Sequence, residues 1–194
     1  FDPIFPKAGS QFTLTGHFTP PYSLFNDKDY GSMELAEKYE WLEYFKVKFS
    51  STWYTNPFAN LVIKANSEFG FLNSYNKDVG LPPFERFYVG GDGLSGFAMD
   101  GREVIGLRGY ANQTVSQHLT AGGSIYSKYY LEMRYPLSLD PSATVYATAF
   151  AEAGNAWDSF DKFNPFEVKR SLGFGIRIFM PMFGLLGVDF GHGY

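Results

Sequence analysis

The run SIYSKYYLEMRYPL at residues 124–137, followed by ATVYATAFAEAG at residues 143–154, alternates with period two. In the first run Ile125, Tyr129, Leu131, Met133, Tyr135 and Leu137 share one face, Ser127 being the exception, and Lys128, Glu132 and Arg134 share the other. In the second, Val145, Ala147, Ala149 and Ala151 oppose Thr144, Tyr146, Thr148, Phe150 and Glu152. Successive side chains of a strand point to opposite sides, so each run predicts a strand with one apolar face and one polar face. Asp140-Pro141 between them is turn chemistry, which makes the pair a hairpin.

Working outward, the pattern recurs at residues 10–20, 41–54, 60–72, 168–180 and 184–194. Leu61, Ile63, Ala65, Phe69 and Phe71 oppose Lys64, Asn66, Glu68 and Gly70. Leu172, Phe174, Ile176, Ile178 and Met180 oppose Ser171, Gly173, Gly175 and Arg177, and Leu186, Val188 and Phe190 oppose Gly187, Asp189 and Gly191. Seven strands are predicted. The polar faces place Lys64, Glu68, Lys128, Glu132, Arg134, Glu152, Arg177 and Asp189 together on one side of the sheet.

Composition narrows the class. The 194 residues include 21 Phe, 14 Tyr and 3 Trp beside only 16 basic and 20 acidic residues. No stretch reaches the roughly 18 apolar residues of a spanning helix. The absence of Cys excludes disulfides and thiolate metal sites. A net charge of −4 without a basic cluster argues against nucleic-acid partners. Abundant rings argue against disorder, and Phe1-Asp2-Pro3 lacks the charged and apolar regions of a secretory leader.

A soluble β-sandwich would also alternate. Three features favour a transmembrane antiparallel up-and-down β-barrel. The runs are about 11 to 14 residues long where about 5 to 6 is usual, and 11 residues tilted near 45° rise about 25 Å, the height of an outer-membrane apolar band. The connections alternate between short and long, as they do when one side of a membrane receives tight turns; Asn56-Pro57 and Pro181 mark two of the short ones. Rings at Tyr22, Phe25, Trp41, Tyr44, Trp53, Tyr54, Phe58, Phe71, Tyr126, Tyr135, Trp157 and Phe183 fall near strand ends, as headgroup girdles do. Seven is an odd count, and an open sheet in lipid would leave unpaired backbone groups, so residues 1–194 are expected to be an incomplete barrel that lacks its final strand.

Between about Asn73 and Gly123 the strand pattern lapses for about 50 residues, a length that is usually functional. The segment contains Phe87-Tyr88-Val89-Gly90-Gly91, then Asp92-Gly93-Leu94-Ser95-Gly96-Phe97, then Leu107-Arg108-Gly109-Tyr110. With Asp2, Pro6, Gly9 and Ser10 before the first strand, the run from Ala149 to Asp158, and Pro181 to Gly191, it resembles the BamA superfamily of outer-membrane barrel assembly factors. The resemblance covers nearly the whole chain. It implies the carboxy-terminal half of a sixteen-stranded barrel, in a bacterial outer membrane, with no cofactor. It also implies an inward loop after strand eleven whose Arg meets acidic and aromatic residues on neighbouring strands. Spacing from Gly90-Gly91 places that Arg at Ser95, whereas the intact tripeptide starts at Arg108; the role is carried to Arg108, facing Glu132, Phe150 and Glu152, with Gly109 allowing close approach and Tyr110 stacking or hydrogen-bonding. Glu152 stands where Asp is more familiar.

The function implied is insertion of nascent β-barrel proteins, with outer-membrane lipid, periplasmic repeat domains of the full-length chain and accessory lipoproteins as partners. The alternatives are a two-partner secretion pore of the same superfamily or a generic outer-membrane channel. Physics gives the Arg contact its own rationale: a planar five-donor fork relieves repulsion between carboxylates in a partly dehydrated lumen. A plain salt network plugging the barrel would also place those charges together. No enzyme is expected. Gly93-Leu94-Ser95-Gly96-Phe97 fails the nucleophile-elbow spacing, His17, His118 and His192 lie in separate segments, and Gly90-Gly91-Asp92-Gly93 lacks the acidic ladder of a calcium loop.

Overall fold

In the computed structural model, residues 4–26, 28–93, 102–119, 121–140 and 142–194 are described. Among these described residues nine strands form: β1 (Gly9–Phe18), β2 (Phe45–Phe58), β3 (Leu61–Asn73), β4 (Phe87–Val89), β5 (Glu103–Ile105), β6 (Ile125–Asp140), β7 (Ala143–Trp157), β8 (Lys169–Met180) and β9 (Gly184–Gly193). Seven of them make one antiparallel sheet in the order β1-β2-β3-β6-β7-β8-β9, with every neighbour also next in the up-and-down path. The sheet does not close on itself, and β1 and β9 are its edges.

The seven long strands coincide with the seven alternating runs, because a period-two pattern sustained over 10 to 16 residues leaves little choice of face. Ends differ. β2 starts at Phe45, since residues 35–38 form a short helix, α1 (Leu35–Lys38), and the chain enters the strand only after Tyr44. Asn56-Pro57 lies within β2 at a register shift, and the turn falls on Ala59-Asn60 with Ala59 at φ 49°. Pro141 lies outside the described residues.

The outward face is apolar and bare. Phe174, Val188 and Phe190 are 63–64% exposed, alongside exposed Phe12, Leu14, Leu131, Met133 and Leu137. A contiguous apolar patch spanning all seven strands is foreign to a water-facing surface and suits hydrocarbon. Among the described residues no helix is long and apolar enough to cross a membrane. Three rings assigned to the girdles belong elsewhere. Tyr44 and Tyr126 are buried beneath the long connection, and Tyr54 packs inward against Val62 and Tyr146, because their positions in the alternation point to the inner side. Trp157 does face outward but is covered by Phe163 of the 158–168 connection, edge to face at 4.9 Å.

The inner face is graded by size. Along β8 and β9 it carries Gly173, Gly175, Gly187, Gly191 and Gly193, and each marks a space already taken. A methyl at Gly173 would strike the Phe150 ring, one at Gly175 the Asp189 carboxylate, and one at Gly187 would come within 2.9 Å of Arg177. The register puts Phe150 opposite Gly173 and Asp189 opposite Gly175, so each large group lies over a partner without a side chain. Gly173→Ala is therefore expected to destabilise the intact barrel by about 1–3 kcal/mol through overpacking. Val188→Leu on the outward face should stay within about 0.5 kcal/mol. Denaturant unfolding of the full-length protein in detergent checks the pair.

Candidate functional site

The described residues of the connection between β3 and β6 fold against the inner face and have internal order, contrary to its reading as a loop without strands. β4 and β5 pair in parallel, and Leu107 closes back on Gly91 through its N–H to the Gly91 carbonyl at 2.9 Å. Three-residue strands are too short for a period to be detected. Gly90 and Gly91, at φ 125° and 103°, make the corner that lets the two strands meet. Phe87, Val89, Leu107 and Val115 are fully or nearly fully buried against Leu72, Tyr126 and Ala156 of the wall. The Phe87 ring meets Tyr126 edge to face at 4.6 Å.

Charge holds the other side of this module. Buried Glu103 pairs with Lys46 at 2.5 Å and Lys48 at 2.8 Å, both from β2. Burial alone would raise the Glu103 carboxyl, but the hydrogen bonds from Lys46 and Lys48 outweigh it and hold the carboxyl below its ordinary range. A depressed carboxylate stabilises the fold above the ordinary range, and that contribution is lost as pH falls through the depressed value.

Arg108 follows immediately. It donates from Nε to Glu152 Oε1 at 2.7 Å, from its backbone N–H to Glu152 Oε2 at 2.8 Å, and from Nη1 to Asp189 Oδ2 at 2.7 Å. Glu132 lies 3.7 Å from Nη2. The guanidinium plane sits over the Phe150 ring at 3.5 Å and faces Tyr130 at 5.0 Å. Two further arginines complete the cluster. Arg134 donates to Glu132 at 2.6 Å, and Arg177 grips Asp189 through both terminal nitrogens at 2.6 and 2.7 Å. Tyr130 donates its hydroxyl to Glu132. Three guanidiniums thus meet three carboxylates, so the desolvated group carries no net charge.

Gly109 explains why the loop can come this close. At φ 90° it runs along β9, its carbonyl accepting the Gly193 N–H at 3.1 Å, and a methyl there would sit 2.8 Å from the His192 carbonyl carbon. Tyr110 donates its hydroxyl to the carbonyls of Arg170 and Tyr194, each at 2.9 Å. The tripeptide therefore bridges β7, β8 and β9.

Of the residues singled out from sequence, Arg108, Gly109, Tyr110, Glu132, Phe150 and Glu152 come together at one place. Phe87, Gly90 and Gly91 form the base of the loop instead, and Ser95, Gly96 and Phe97 lie outside the described residues. Asp189, Arg177 and Tyr130 were not named as partners of Arg108. The signal for Asp189 was the Gly187-x-Asp189-x-Gly191 spacing on β9, a lone carboxylate between cleared positions.

The bare outward belt, the alternation of tight turns with long connections and the loop locked inside define a wall segment of an outer-membrane β-barrel. A family model described as the Omp85 superfamily domain matches residues 2–192, and the chain belongs to that superfamily. It is 25% identical over 134 residues, 64% of the chain, to the outer membrane protein assembly factor BamA of Neisseria meningitidis serogroup B. That match covers 15% of the relative. The fold is similar, with a TM-score of 0.69 at 18% identity, to the crystal structure of BamA from Haemophilus ducreyi lacking POTRA domains 1-3, over 99% of this chain and 36% of that one. The chain thus spans about a third or less of either protein, and its place is the bacterial outer membrane.

Two outcomes are expected in the intact barrel. Arg108→Ala leaves Glu152 and Asp189 short of a counter-charge and should cost about 3–5 kcal/mol, with Arg108→Lys intermediate because it keeps the charge without the fork. Thermal unfolding in detergent reads both. Acidification below the ordinary carboxylate range should lower the protection against hydrogen exchange across residues 103–107, taken relative to intrinsic exchange at each pH, and Glu103→Gln should make that protection insensitive to pH.

Proposed function

We propose that this chain is the supporting half-wall and inward loop of a machine that inserts nascent β-barrel proteins into the bacterial outer membrane. Membership in the Omp85 superfamily and the likeness to proteins named for outer-membrane protein assembly support this reading. The observation that carries it is the fastening of one loop to three successive strands through Arg108, Gly109 and Tyr110. A barrel that admits a client strand must open at one place and stay shut elsewhere. The Arg108 cluster stiffens β7 to β9, so that strain from an opening seam is confined to strands outside this stretch. The partners that go with this reading are outer-membrane lipid, unfolded barrel proteins, periplasmic repeat domains of the same polypeptide and accessory lipoproteins.

Replacing Arg108 by Ala in the full-length protein, as the sole copy in the cell, tests it. Folded client barrels are expected to fall several-fold, judged by heat-modifiability on gels, with partial recovery in Arg108→Lys. Client assembly at the normal rate by a folded Arg108→Ala barrel would refute the role. Loss of one exported protein with all other barrels intact would assign the chain to a secretion pore.

A further inference from the structure

The membrane face of the sheet is not evenly thick. β7 presents Ala147, Ala149, Ala151 and Ala153 there, while β6 and β8 beside it present Leu131, Met133 and Leu172. The difference in side-chain length sinks a furrow along β7. Its larger part, a groove of about 370 Å³ over Ala151 and Ala153, extends across Tyr129 and Leu131 of β6 to Ala65 of β3, and a second depression of about 220 Å³ continues along β7 over Ala149 and Ala151, with Leu131 and Leu172 shared by both. Its floor is almost wholly apolar and it is open along its length, a shape that suits a slender unbranched chain.

The head of the furrow is different. Arg170, Ser67, Tyr129 and Tyr194 line it at the end nearer the long connections. Among the described residues, the Arg170 guanidinium has no ion pair or hydrogen bond, and neither does the Ser67, Tyr129 or Tyr194 hydroxyl. The Arg170 backbone is fixed, its carbonyl accepting both the Tyr110 hydroxyl at 2.9 Å and the Tyr194 N–H at 3.0 Å. A charge on the lipid side of a barrel is costly unless it reaches the headgroup layer and finds an anion. A planar fork with all its donors free is matched by phosphate oxygens, which it can hold in two parallel bonds. The long connections mark the exterior side, so the layer concerned is the outer leaflet.

We propose that this furrow binds one phosphorylated lipid of the outer leaflet, an acyl chain lying over Ala149, Ala151 and Ala153 and a phosphate on Arg170. The site is separate from the Arg108 cluster, which occupies the opposite face of the same strands, and it holds whichever protein the barrel handles. Bound there, the lipid covers the thinnest part of the wall and attaches the β7–β8 pair to its own leaflet.

Native mass spectrometry of the full-length protein, released from micelles containing diphosphoryl lipid A or its phosphate-free counterpart, tests the assignment. The wild-type protein should retain the phosphorylated lipid about tenfold better. Arg170→Gln should abolish that preference and Arg170→Lys restore part of it. Ala151→Leu, which fills the furrow without touching charge, should lower retention of both lipids. Heat-modifiability reports that each variant is folded. Equal retention of the two lipids by the wild-type protein, or an undiminished preference in folded Arg170→Gln, would overturn the proposal. So would a photo-crosslinker at position 151 that captures a protein rather than lipid in intact cells.

Discussion

A single guanidinium between carboxylates from two strands that are not neighbours organises much of this molecule. Glu152 is on β7 and Asp189 on β9, with β8 between them, and Arg108 reaches both from a loop that leaves the sheet at β3 and returns at β6. No ladder hydrogen bond links β7 to β9, so the Arg108 cluster adds a tie across the sheet that backbone pairing does not supply. Its charges balance, three against three, and the Phe150 ring lies under the Arg108 guanidinium, 3.5 Å from its central carbon. Removing any one carboxylate or cation would leave an uncompensated charge away from bulk water, which is why the contact constrains residues on several strands at once.

That constraint accounts for the glycines of β8 and β9. In a water-soluble strand, five glycines on one face would weaken pairing through lost packing and added chain entropy. Here the missing side chains are replaced by groups from elsewhere: Phe150 over Gly173, Asp189 over Gly175, Arg177 over Gly187, the loop backbone over Gly191 and the Tyr110 ring over Gly193. The inner surface is built from two layers contributed by different parts of the chain. Sequence that reads as weak strand is the negative imprint of neighbouring strands' side chains at Gly173, Gly175 and Gly187, and of the loop at Gly191 and Gly193.

The long strands were legible because a period-two pattern over a dozen residues is redundant, and a slip of one residue would turn every charge toward lipid. The Arg108 tripeptide and Glu152 were legible from their resemblance to a family motif. Asp189 was visible only as a lumen charge, since the register that brings β9 opposite β8 cannot be deduced from either strand alone. β4 and β5 were hidden because each is three residues long, and a single buried, half-buried, buried step is too short to stand out as a period. Tyr44, Tyr54 and Tyr126 were misplaced because rings near strand ends were read as a girdle, although parity in the strand decides which way a ring points.

Parity also separates two kinds of constraint on the same strand. On its inner side β7 carries Tyr146, Thr148, Phe150 and Glu152, every one buried against the loop or the residues around it. On its outer side it carries alanines. In water, larger apolar side chains there would be favoured by burial, but against hydrocarbon an exposed methyl and an exposed isobutyl group differ little in solvation, so no hydrophobic force selects size on that face. What remains is shape. The outer surface of β7 is free to be thin wherever something other than solvent quality asks for thinness, while the inner surface is committed at Phe150 and Glu152 to the loop and at Tyr146 to Phe5 and Val62. The two solvents of one strand thus leave its inner half fixed by packing and charge, and its outer half fixed only by what lies in the membrane beside it.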